Sequence, residues 1–355
     1  DLLAQTTYQS DVTKMPIVIP NNPVEALNKD QYKANISINQ LIYNGGLIEA
    51  STSAKIADLK TRQQQIEVSL YQLLNQVNQL YFSILLHQEK KALLTSKKNQ
   101  LEVKLKEIKS GIKYGMLLPT SDKVIEVELL KIQQQFTEIE QSSKNLISTL
   151  SAIIGVEIIS NTQLQTPEII TDLTNEIKRP ETTLFELQKT QVNAYKNVIA
   201  KKNNPKIIGF ATGGYGNPGL NMLENSFQTY YIAGIKLNWE VFDWNKSKKE
   251  QESIQINNDI IDNQQEIFKL NTSIELEQQL SEIEKLSATI NVDKDIIDLH
   301  KEILATADSQ LKNGVITASA YITELTQLYE AENNLSTHKI QLLLAKVNYK
   351  TIKGN

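Results

Sequence analysis

Two long stretches without glycine or proline most constrain what this chain can fold into. Neither residue occurs between Gly46 and Gly111, or between Gly234 and Gly314. Glycine and proline interrupt helices more strongly than any other residues, so each stretch predicts one continuous helix. A helix of about 65 residues is roughly 100 Å long at 1.5 Å per residue. Such lengths exceed the diameter of a small domain, and the sequence therefore predicts two helical rods.

The apolar residues of both stretches recur with the spacing of a coiled coil. In the first stretch, alternating steps of four and three residues from Ile66 to Ile112 fall mostly on apolar side chains. In the second stretch, every seventh residue is apolar: Leu276, Ile283, Ile290, Ile297, Leu304 and Leu311. A sustained seven-residue repeat is typical of helices that supercoil around one another. Each rod is therefore expected to pack against other helices along its length.

Each rod ends in residues that favour a turn and a returning helix. Gly115 and Gly314 are predicted to take the left-handed conformation just past the helix end. The returning helices extend to about residues 154 and 352, which makes two helical hairpins, 45–154 and 245–352. The candidate N-caps of the returning helices are Thr120 or Ser121 and Thr317 or Ser319.

An offset of 199 residues superposes one half of the chain on the other. It places Gly115 on Gly314, residues 36–39 on 235–238, and residues 42–44 on 241–243. Matched turns and matched segments before the rods indicate a tandem duplication. Rods that must reach a common plane need equal lengths, which explains why the spacing is the same in both halves.

The duplication divides the chain as follows. The first repeat, 1–154, has a β-hairpin at 1–44 and a helical hairpin at 45–154, and 155–179 is an irregular connector. The second repeat, 180–355, has a helix at 180–203, a β-hairpin at 205–244 and a helical hairpin at 245–352. No counterpart of helix 180–203 precedes the first strand, so we expect a leader and one helix to be missing from this sequence. A Pro-rich loop with Pro16, Pro20 and Pro23 is expected inside the first β-hairpin.

The segment before each rod alternates between apolar and polar side chains with a period of two. This pattern fits a transmembrane β-strand that lines a wet lumen, and it equally fits a one-sided sheet of a soluble protein. The aromatic residues Tyr32, Phe227, Tyr230, Tyr231, Trp239 and Trp244 favour an interfacial girdle, although a sheet on a soluble core could also hold them. The predicted lipid-facing residues are Tyr32, Ile36, Ile38, Ile42, Tyr231, Ala233, Ile235, Leu237, Trp239 and Val241.

Composition excludes several kinds of site. The chain has no Cys, so it forms no disulfide and no thiolate metal site, and its three His residues are widely spaced. Lys and Arg number 37 against 41 Asp and Glu, which argues against nucleic acid as a partner. A GxGxxG pattern at 214–219 is followed by another strand rather than a helix, so it predicts a loop and not a nucleotide site. We predict no catalytic residues, metal or cofactor.

These features together resemble the TolC-like outer-membrane efflux proteins. The resemblance covers essentially the whole chain and rests on the order, spacing and duplication of short motifs rather than on any one of them. The segments that carry it are the strand-to-helix junctions 38–46 and 237–244, the tips 113–115 and 312–314, the turn 150–155, and residues 179–181.

The resemblance implies a mainly α fold with short β-strands, made of two tandem repeats. It implies a homotrimer whose strands form one shared β-barrel in the outer membrane, continuing into an α-helical barrel in the periplasm. The protein would be a passive duct and not an enzyme. A periplasmic adaptor (a membrane-fusion protein) would join it to an inner-membrane pump.

The resemblance also places an adaptor-docking surface at the hairpin tips. Apolar side chains there are unusual for a turn, and burial inside the hairpin end would explain them equally well. The expected docking residues are Lys113, Tyr114, Gly115, Met116, Leu117, Lys312, Asn313, Gly314, Val315 and Ile316.

The tip departs from the family at its aperture. A well-known member closes the tip with a ring of aspartates, and the corresponding positions here are Ala320 and Thr323. Nearby acids, Asp122, Glu126 and Glu324, are the candidate aperture acids, with solvated helix faces as the alternative explanation.

Two other protein classes compete with the duct. A soluble periplasmic coiled-coil scaffold or adaptor would use the short sheets only to cap the rods. A membrane-fusion adaptor would show one helical hairpin between lipoyl-like β segments, whereas two tandem hairpins are predicted here.

Overall fold

The structure is a computed structural model that describes residues 1–13, 25–159, 162–169 and 177–354. It is mainly helical with one small antiparallel sheet, as the sequence predicts. The Pro-rich loop and part of the predicted connector 155–179 lie outside the described residues. The elements in chain order are β1 (Leu2–Tyr8), β2 (Asp30–Tyr43), α1 (Leu47–Lys113), α2 (Ser121–Ile154), α3 (Pro180–Lys202), β3 (Lys206–Asn217), β4 (Gln228–Asn238), α4 (Lys246–Lys312) and α5 (Ala318–Lys353).

The two predicted rods are the helices α1 and α4, and each has 67 residues. Their first residues, 47 and 246, differ by 199, and so do their last residues, 113 and 312. Among the helices that the structure describes, none combines the length and the hydropathy needed to cross a membrane.

Both rods end in the same backbone motif. Gly115 and Gly314 have φ of +73° and +70°, which is the left-handed region. At the first tip the Met116 amide donates to the Gly111 carbonyl at 2.9 Å, and at the second the Val315 amide donates to the Gln310 carbonyl at 2.8 Å. These bonds span five residues and close a Schellman motif, which satisfies carbonyls that the helix leaves free. Both predicted C′ glycines are confirmed.

The returning helices begin differently. The Thr317 hydroxyl accepts a hydrogen bond from the Ala320 amide at 3.2 Å, so Thr317 is the N-cap of α5. Thr120 is the N-cap residue of α2, one of the two predicted candidates, but it has φ of 81° and its side chain makes no cap hydrogen bond.

The sheet has the strand order β1-β2-β3-β4, and every neighbouring pair is antiparallel. The β2–β3 register shifts between Leu41 and Tyr43, which places a bulge at the end of β2. Strands β1 and β4 each have only one partner in the sheet. The sheet therefore has two open edges within this chain.

The chain divides into two compact units. The first comprises Asp1–Arg62 and Phe185–Asn263 and contains the sheet, and the second comprises Gln63–Leu184 and Gln264–Asn355 and contains both helical tips. The largest core of the second unit lies where α1, α2, α4 and α5 pack together near the tips. Its buried apolar residues are Leu94, Leu101, Ile108, Ile125, Ile132, Ala307, Leu311, Ala318, Tyr321 and Leu325.

Candidate functional site: the faces of the sheet and the helical tips

One face of the sheet is apolar and open to its surroundings. The antiparallel register places Leu2 opposite Ile36, Ile36 opposite Gly213, and Gly213 opposite Tyr231, so these residues form one row across four strands. All ten predicted lipid-facing residues are exposed, from 43% at Tyr32 to 82% at Tyr231. A soluble sheet exposes its polar face and buries its apolar one, which is the opposite arrangement.

The other face of the sheet is polar and more shielded. On β2 it carries Gln31, which is 8% exposed, followed by the half-buried Lys33, Asn35 and Ser37. The Ser37 and Thr212 hydroxyls, which are directly opposite each other in the register, lie 3.0 Å apart. Hydroxyl pairs of this kind stabilise neighbouring strands. The alternation predicted from the sequence is therefore present in β2 between Asp30 and Ile38, where the polar residues are the less exposed ones.

Two of the predicted strand residues lie beyond the sheet. Strand β4 ends at Asn238, so Trp239 and Val241 belong to the segment between β4 and α4. The reason is that β3 begins at Lys206, which pairs with Asn238, and no strand residue remains to pair with those that follow. Both side chains are exposed nevertheless.

Aromatic side chains gather where the strands of the sheet end. The Phe227 ring lies 6.0 Å from that of Tyr32 and stacks at 5.4 Å on that of Tyr215, beside the loop between β3 and β4. At the junction with α4, the Phe242 and Trp244 rings meet edge to face at 4.8 Å. Such clusters at the two ends of an apolar band are typical of membrane interfaces.

Tyr230 does not fit the predicted aromatic girdle, because its side chain lies on the polar face of the sheet. Its side chain covers Gly214, which is directly opposite it in the register. A Cβ atom at Gly214 would lie 2.6 Å from the Tyr230 ring and 2.8 Å from the Ala34 carbonyl oxygen. The reciprocal arrangement occurs nearby, where the Phe210 ring would lie 2.9 Å from a Cβ atom on Gly234. Two glycines therefore make room for two rings on one face.

The junctions between strand and helix are held by two consecutive asparagines. The Asn204 side chain donates to the Gly45 carbonyl at 2.7 Å, before α1. The Asn203 side chain donates to the Asp243 carboxylate at 2.5 Å, before α4. Both junctions turn through two successive left-handed residues: Gly45 and Gly46 in the first, Trp244 and Asn245 in the second.

The structure divides the predicted docking residues of the tips into two groups. Tyr114, Met116 and Val315 are 62–70% exposed. Leu117 and Ile316 pack instead against the helical core of the second unit, and the Leu117 side chain fills the space beside Gly111. A groove of about 440 Å³ lies between the two turns. Of the remaining tip residues, Lys113, Gly115, Lys312, Asn313 and Gly314 are also exposed.

The candidate aperture acids are not equivalent. Glu126 is paired twice, with Lys123 at 2.7 Å and Lys109 at 3.0 Å. Asp122 lies 3.7 Å from Lys123, and Glu324 lines a groove between α4 and α5 together with Glu302. The side chains of Ala320 and Thr323 are exposed on α5.

Two buried lysines were not anticipated from the sequence. Lys97 donates to Glu128 at 2.8 Å and lies 4.8 Å from the centre of the Tyr329 ring. Seven residues further along α1, Lys104 donates to Asp308 and lies 5.3 Å from the centre of the Tyr321 ring.

The sequence pattern predicts apolar residues on the side of α1 that packs against other helices. The two lysines lie on that same side. The seam of this part of α1 runs through Leu94, Lys97, Leu101, Lys104 and Ile108, all of which are buried. In the sequence, the two lysines are seven residues apart and alternate with Leu94, Leu101 and Ile108. This spacing is the signal that could have predicted their burial.

Comparison with known proteins gives a likeness of structure only. No family model and no curated protein matches the sequence. The outer membrane protein VceC of Vibrio cholerae matches 98% of this chain and 86% of its own, with a TM-score of 0.67 and 13% identity. The Campylobacter jejuni CmeC outer membrane channel matches 100% of this chain and 77% of its own, with a TM-score of 0.68 and 14% identity. The Neisseria gonorrhoeae MtrE outer membrane channel matches 99% of this chain and 81% of its own, with a TM-score of 0.69 and 15% identity.

The chain has the fold of these outer-membrane channels. The resemblance drawn from short motifs in the sequence is therefore confirmed at the level of the fold, and it extends over nearly the whole chain. Within the outer-membrane channel fold, the described residues contain no group of three or more His, Cys, Asp or Glu side chains placed to hold a metal ion. The features available for function are two faces of a sheet, two junctions and two tips.

Proposed function

We propose that this chain is one protomer of a trimeric outer-membrane channel. It acts as the passive exit duct of a tripartite efflux or type I secretion system. The observation that carries the proposal is the exposure of the apolar face of the sheet, on which Ile36, Tyr231 and Ile235 are 59–82% exposed. Burying an apolar face in lipid is favourable at about 25 cal/mol per Å² removed from water.

The dimensions of the apolar band fit a bilayer. Tyr32 and Tyr43 on β2 are eleven residue steps apart, or about 36 Å along the strand at 3.3 Å per residue. A strand tilted by about 40° covers roughly 28 Å of membrane thickness over that length, close to the apolar band of about 25 Å found in outer-membrane barrels.

The open edges of the sheet support assembly. Strands β1 and β4 each leave one row of backbone groups without a partner in this chain, and such groups cannot stay unpaired in lipid. Pairing of β4 from one copy with β1 of the next closes a barrel without edges. Three copies, as the resemblance implies, would contribute four strands each.

The helices supply the periplasmic part of the proposed duct. The two tandem repeats, each with a β-hairpin and a helical hairpin, would form an α-helical barrel continuous with the β-barrel. The exposed apolar residues Tyr114, Met116 and Val315 are the proposed contacts for a periplasmic adaptor, which would link the duct to an inner-membrane pump. Asp122 and Glu324 are the proposed aperture acids, since Glu126 pairs closely with two lysines, whereas Asp122 has one more distant lysine partner at 3.7 Å.

A pair of substitutions on opposite faces of β4 tests membrane insertion. Ala233→Arg places a charge on the proposed lipid face in the same row as Ile38, at the middle of the apolar band, and should cost about 2–4 kcal/mol. Lys236→Leu changes the opposite face and should leave insertion intact. The measurement is the fraction of full-length protein recovered as assembled trimer in the outer-membrane fraction.

The outcome distinguishes the duct from its main competitor. Loss of trimer in Ala233→Arg alone is the expected result. Recovery of the unmodified protein wholly in the periplasmic fraction would favour the soluble coiled-coil scaffold instead.

A further inference from the structure

The charged residues of the four strands are distributed unequally between the two faces of the sheet. The strands contain three lysines, Lys33, Lys206 and Lys236, and one acid, Asp30. The register places all three lysines on the polar face. Asp30 has the opposite parity on β2 and lies at the loop end of the apolar face, where it accepts a hydrogen bond from the Tyr32 hydroxyl at 3.2 Å. The polar face of the described strands is therefore basic and has no carboxylate.

The residue paired with each lysine on the neighbouring strand shows that the lysine belongs to the polar face. Lys33 is opposite Gly216, and a Cβ atom on Gly216 would lie 3.2 Å from the Lys33 Cγ atom. Lys236 is opposite Ile208, and Lys206 is opposite Asn238, one row further along the same face. None of the three forms an ion pair with another residue in the part of the chain that the structure describes.

The lysines lie towards both ends of the strands. The positions opposite Lys33 and Lys236 are eight residues apart on β3, which is about 26 Å along the strand. The polar residues between them, Asn35, Ser37, Asn39 and Thr212, carry no charge. The whole chain has a formal charge of −4, so the basic character is local to this face.

We infer that this face forms an electropositive lumen that favours anionic solutes over cations. The inference rests on the proposed function, because it needs three copies to enclose the polar face. In a narrow pore with walls of low dielectric constant, charges of one sign concentrate the electric field inside the pore. Positively charged lysines therefore raise the local concentration of anions. Rings of Lys or Arg side chains give anion pores their selectivity. The substrate class assigned to this segment of the duct is therefore anionic small molecules and acidic chains.

Single-channel recording in a planar bilayer tests the inference with KCl as the probe. The proposed aperture acids at the tip are first neutralised by Asp122→Asn and Glu324→Gln, and all variants below carry this background. A tenfold KCl gradient across the full-length protein in this background should give a reversal potential of the sign expected for chloride. In the triple variant Lys33→Gln, Lys206→Gln, Lys236→Gln, the ratio of chloride to potassium permeability should fall by at least about twofold. Lys29→Gln removes a lysine that precedes β2 and should leave the ratio close to that of the background channel.

A second variant keeps the test decisive if the triple variant does not assemble. Asn35→Lys adds a charge to the same face between Lys33 and Ser37, and it should raise the permeability ratio. A channel with neutralised aperture acids that shows no preference for chloride would overturn the inference and leave the proposed duct intact. The inference would also be overturned if neither the triple variant nor Asn35→Lys changed the ratio of chloride to potassium permeability. Correctly inserted trimer that conducts no ions would overturn the proposed duct itself, and the inference with it.

Discussion

At the scale of single residues, two glycines decide how β3 and β4 fit together. Gly214 lies under the Tyr230 ring and Gly234 under the Phe210 ring, on the same face of the sheet. A side chain at either glycine would compete with the ring for the same space. Because each ring is carried by the strand opposite its glycine, a slip of one residue would break both pairs at once. The reciprocal pairs therefore fix the register.

We expect Gly214→Ala to destabilise the sheet by about 1–3 kcal/mol, because the new methyl group overlaps both the Tyr230 ring and the Ala34 carbonyl. The neighbouring Gly213→Ala is the matched control, since a Cβ atom there lies no closer than 3.9 Å to the Tyr230 carbonyl oxygen. Thermal loss of the β-sheet circular dichroism signal in detergent measures the difference. Equal midpoints for the two variants would show that the Tyr230 contact does not constrain the register.

The buried pair of Lys97 and Glu128 makes a second prediction at this scale. Their side chains are only 6% and 11% exposed, so removing one partner leaves a charge in a poorly solvated site. Lys97→Met should destabilise the protein by about 3 kcal/mol, and the double variant Lys97→Met, Glu128→Leu should recover most of that loss. Lys91→Met is the control, because the Lys91–Glu140 pair is about half exposed and should contribute under about 1 kcal/mol. A double variant as unstable as the single one would contradict this account.

The same pair predicts how stability depends on pH. Burial raises the pKa of Glu128, but the hydrogen bond and charge of Lys97, with a smaller contribution from Lys131, outweigh burial and leave the pKa below its ordinary value. A carboxyl group with a lowered pKa in the folded state stabilises the fold above its unfolded-state pKa, and this contribution disappears as the pH falls through the folded-state pKa. The thermal midpoint of the unmodified protein should fall on acidification below about pH 4.5. The midpoint of Lys97→Met should fall less.

At the scale of the elements, the long helices and their ends follow closely from local sequence. A helix depends on residues three and four positions apart, and a Schellman turn depends on one glycine, so the seven-residue pattern with Gly115 and Gly314 was enough to predict both hairpins. The burial of Lys104 could not be predicted in the same way. Its partner Asp308 comes from another helix, 204 residues away along the chain.

The strands show the same limit of prediction from sequence. The alternation of β4 continues through Val241, but the strand stops at Asn238 because its partner β3 begins at Lys206. Tyr230 was assigned to the aromatic girdle by composition, whereas its parity in the strand puts it on the polar face. Pairing between strands, rather than the preference of one segment, decides such details.

The tips provide the prediction at this scale. Met116→Asp and Val315→Asp change exposed side chains, so they should abolish export and copurification with the adaptor while the trimer still assembles. Leu117→Asp instead places a charge against Gly111 and the helical core, and should reduce the thermal stability of the trimer. Normal export by the Met116→Asp, Val315→Asp double variant would exclude these residues from docking.

At the scale of the whole molecule, the open edges of the sheet predict contacts between copies. The chain has no native Cys, so pairs of introduced cysteines report on single contacts. Ala4→Cys on β1, combined in turn with Cys at positions 229, 231 and 233 of β4, should give covalent dimers and trimers in at least one combination. The bands should stop at three copies.

The control is a pair that lies within one copy. Ser37→Cys with Thr212→Cys joins directly opposed residues of β2 and β3, so it should cross-link without any oligomer band. Absence of covalent oligomers from every edge pair would argue against closure of the sheet by neighbouring copies.

The equal lengths of α1 and α4 also constrain how such a protein can change in evolution. One inserted residue rotates the rest of a helix by about 100° and would move Lys97 and Lys104 away from their partners. Seven inserted residues restore the face but displace the turn by about 10 Å relative to the unchanged hairpin. A viable lineage must therefore add or remove whole heptads in both limbs of both hairpins together. Natural relatives should accordingly fall into discrete length classes, separated by gaps that no single insertion can cross.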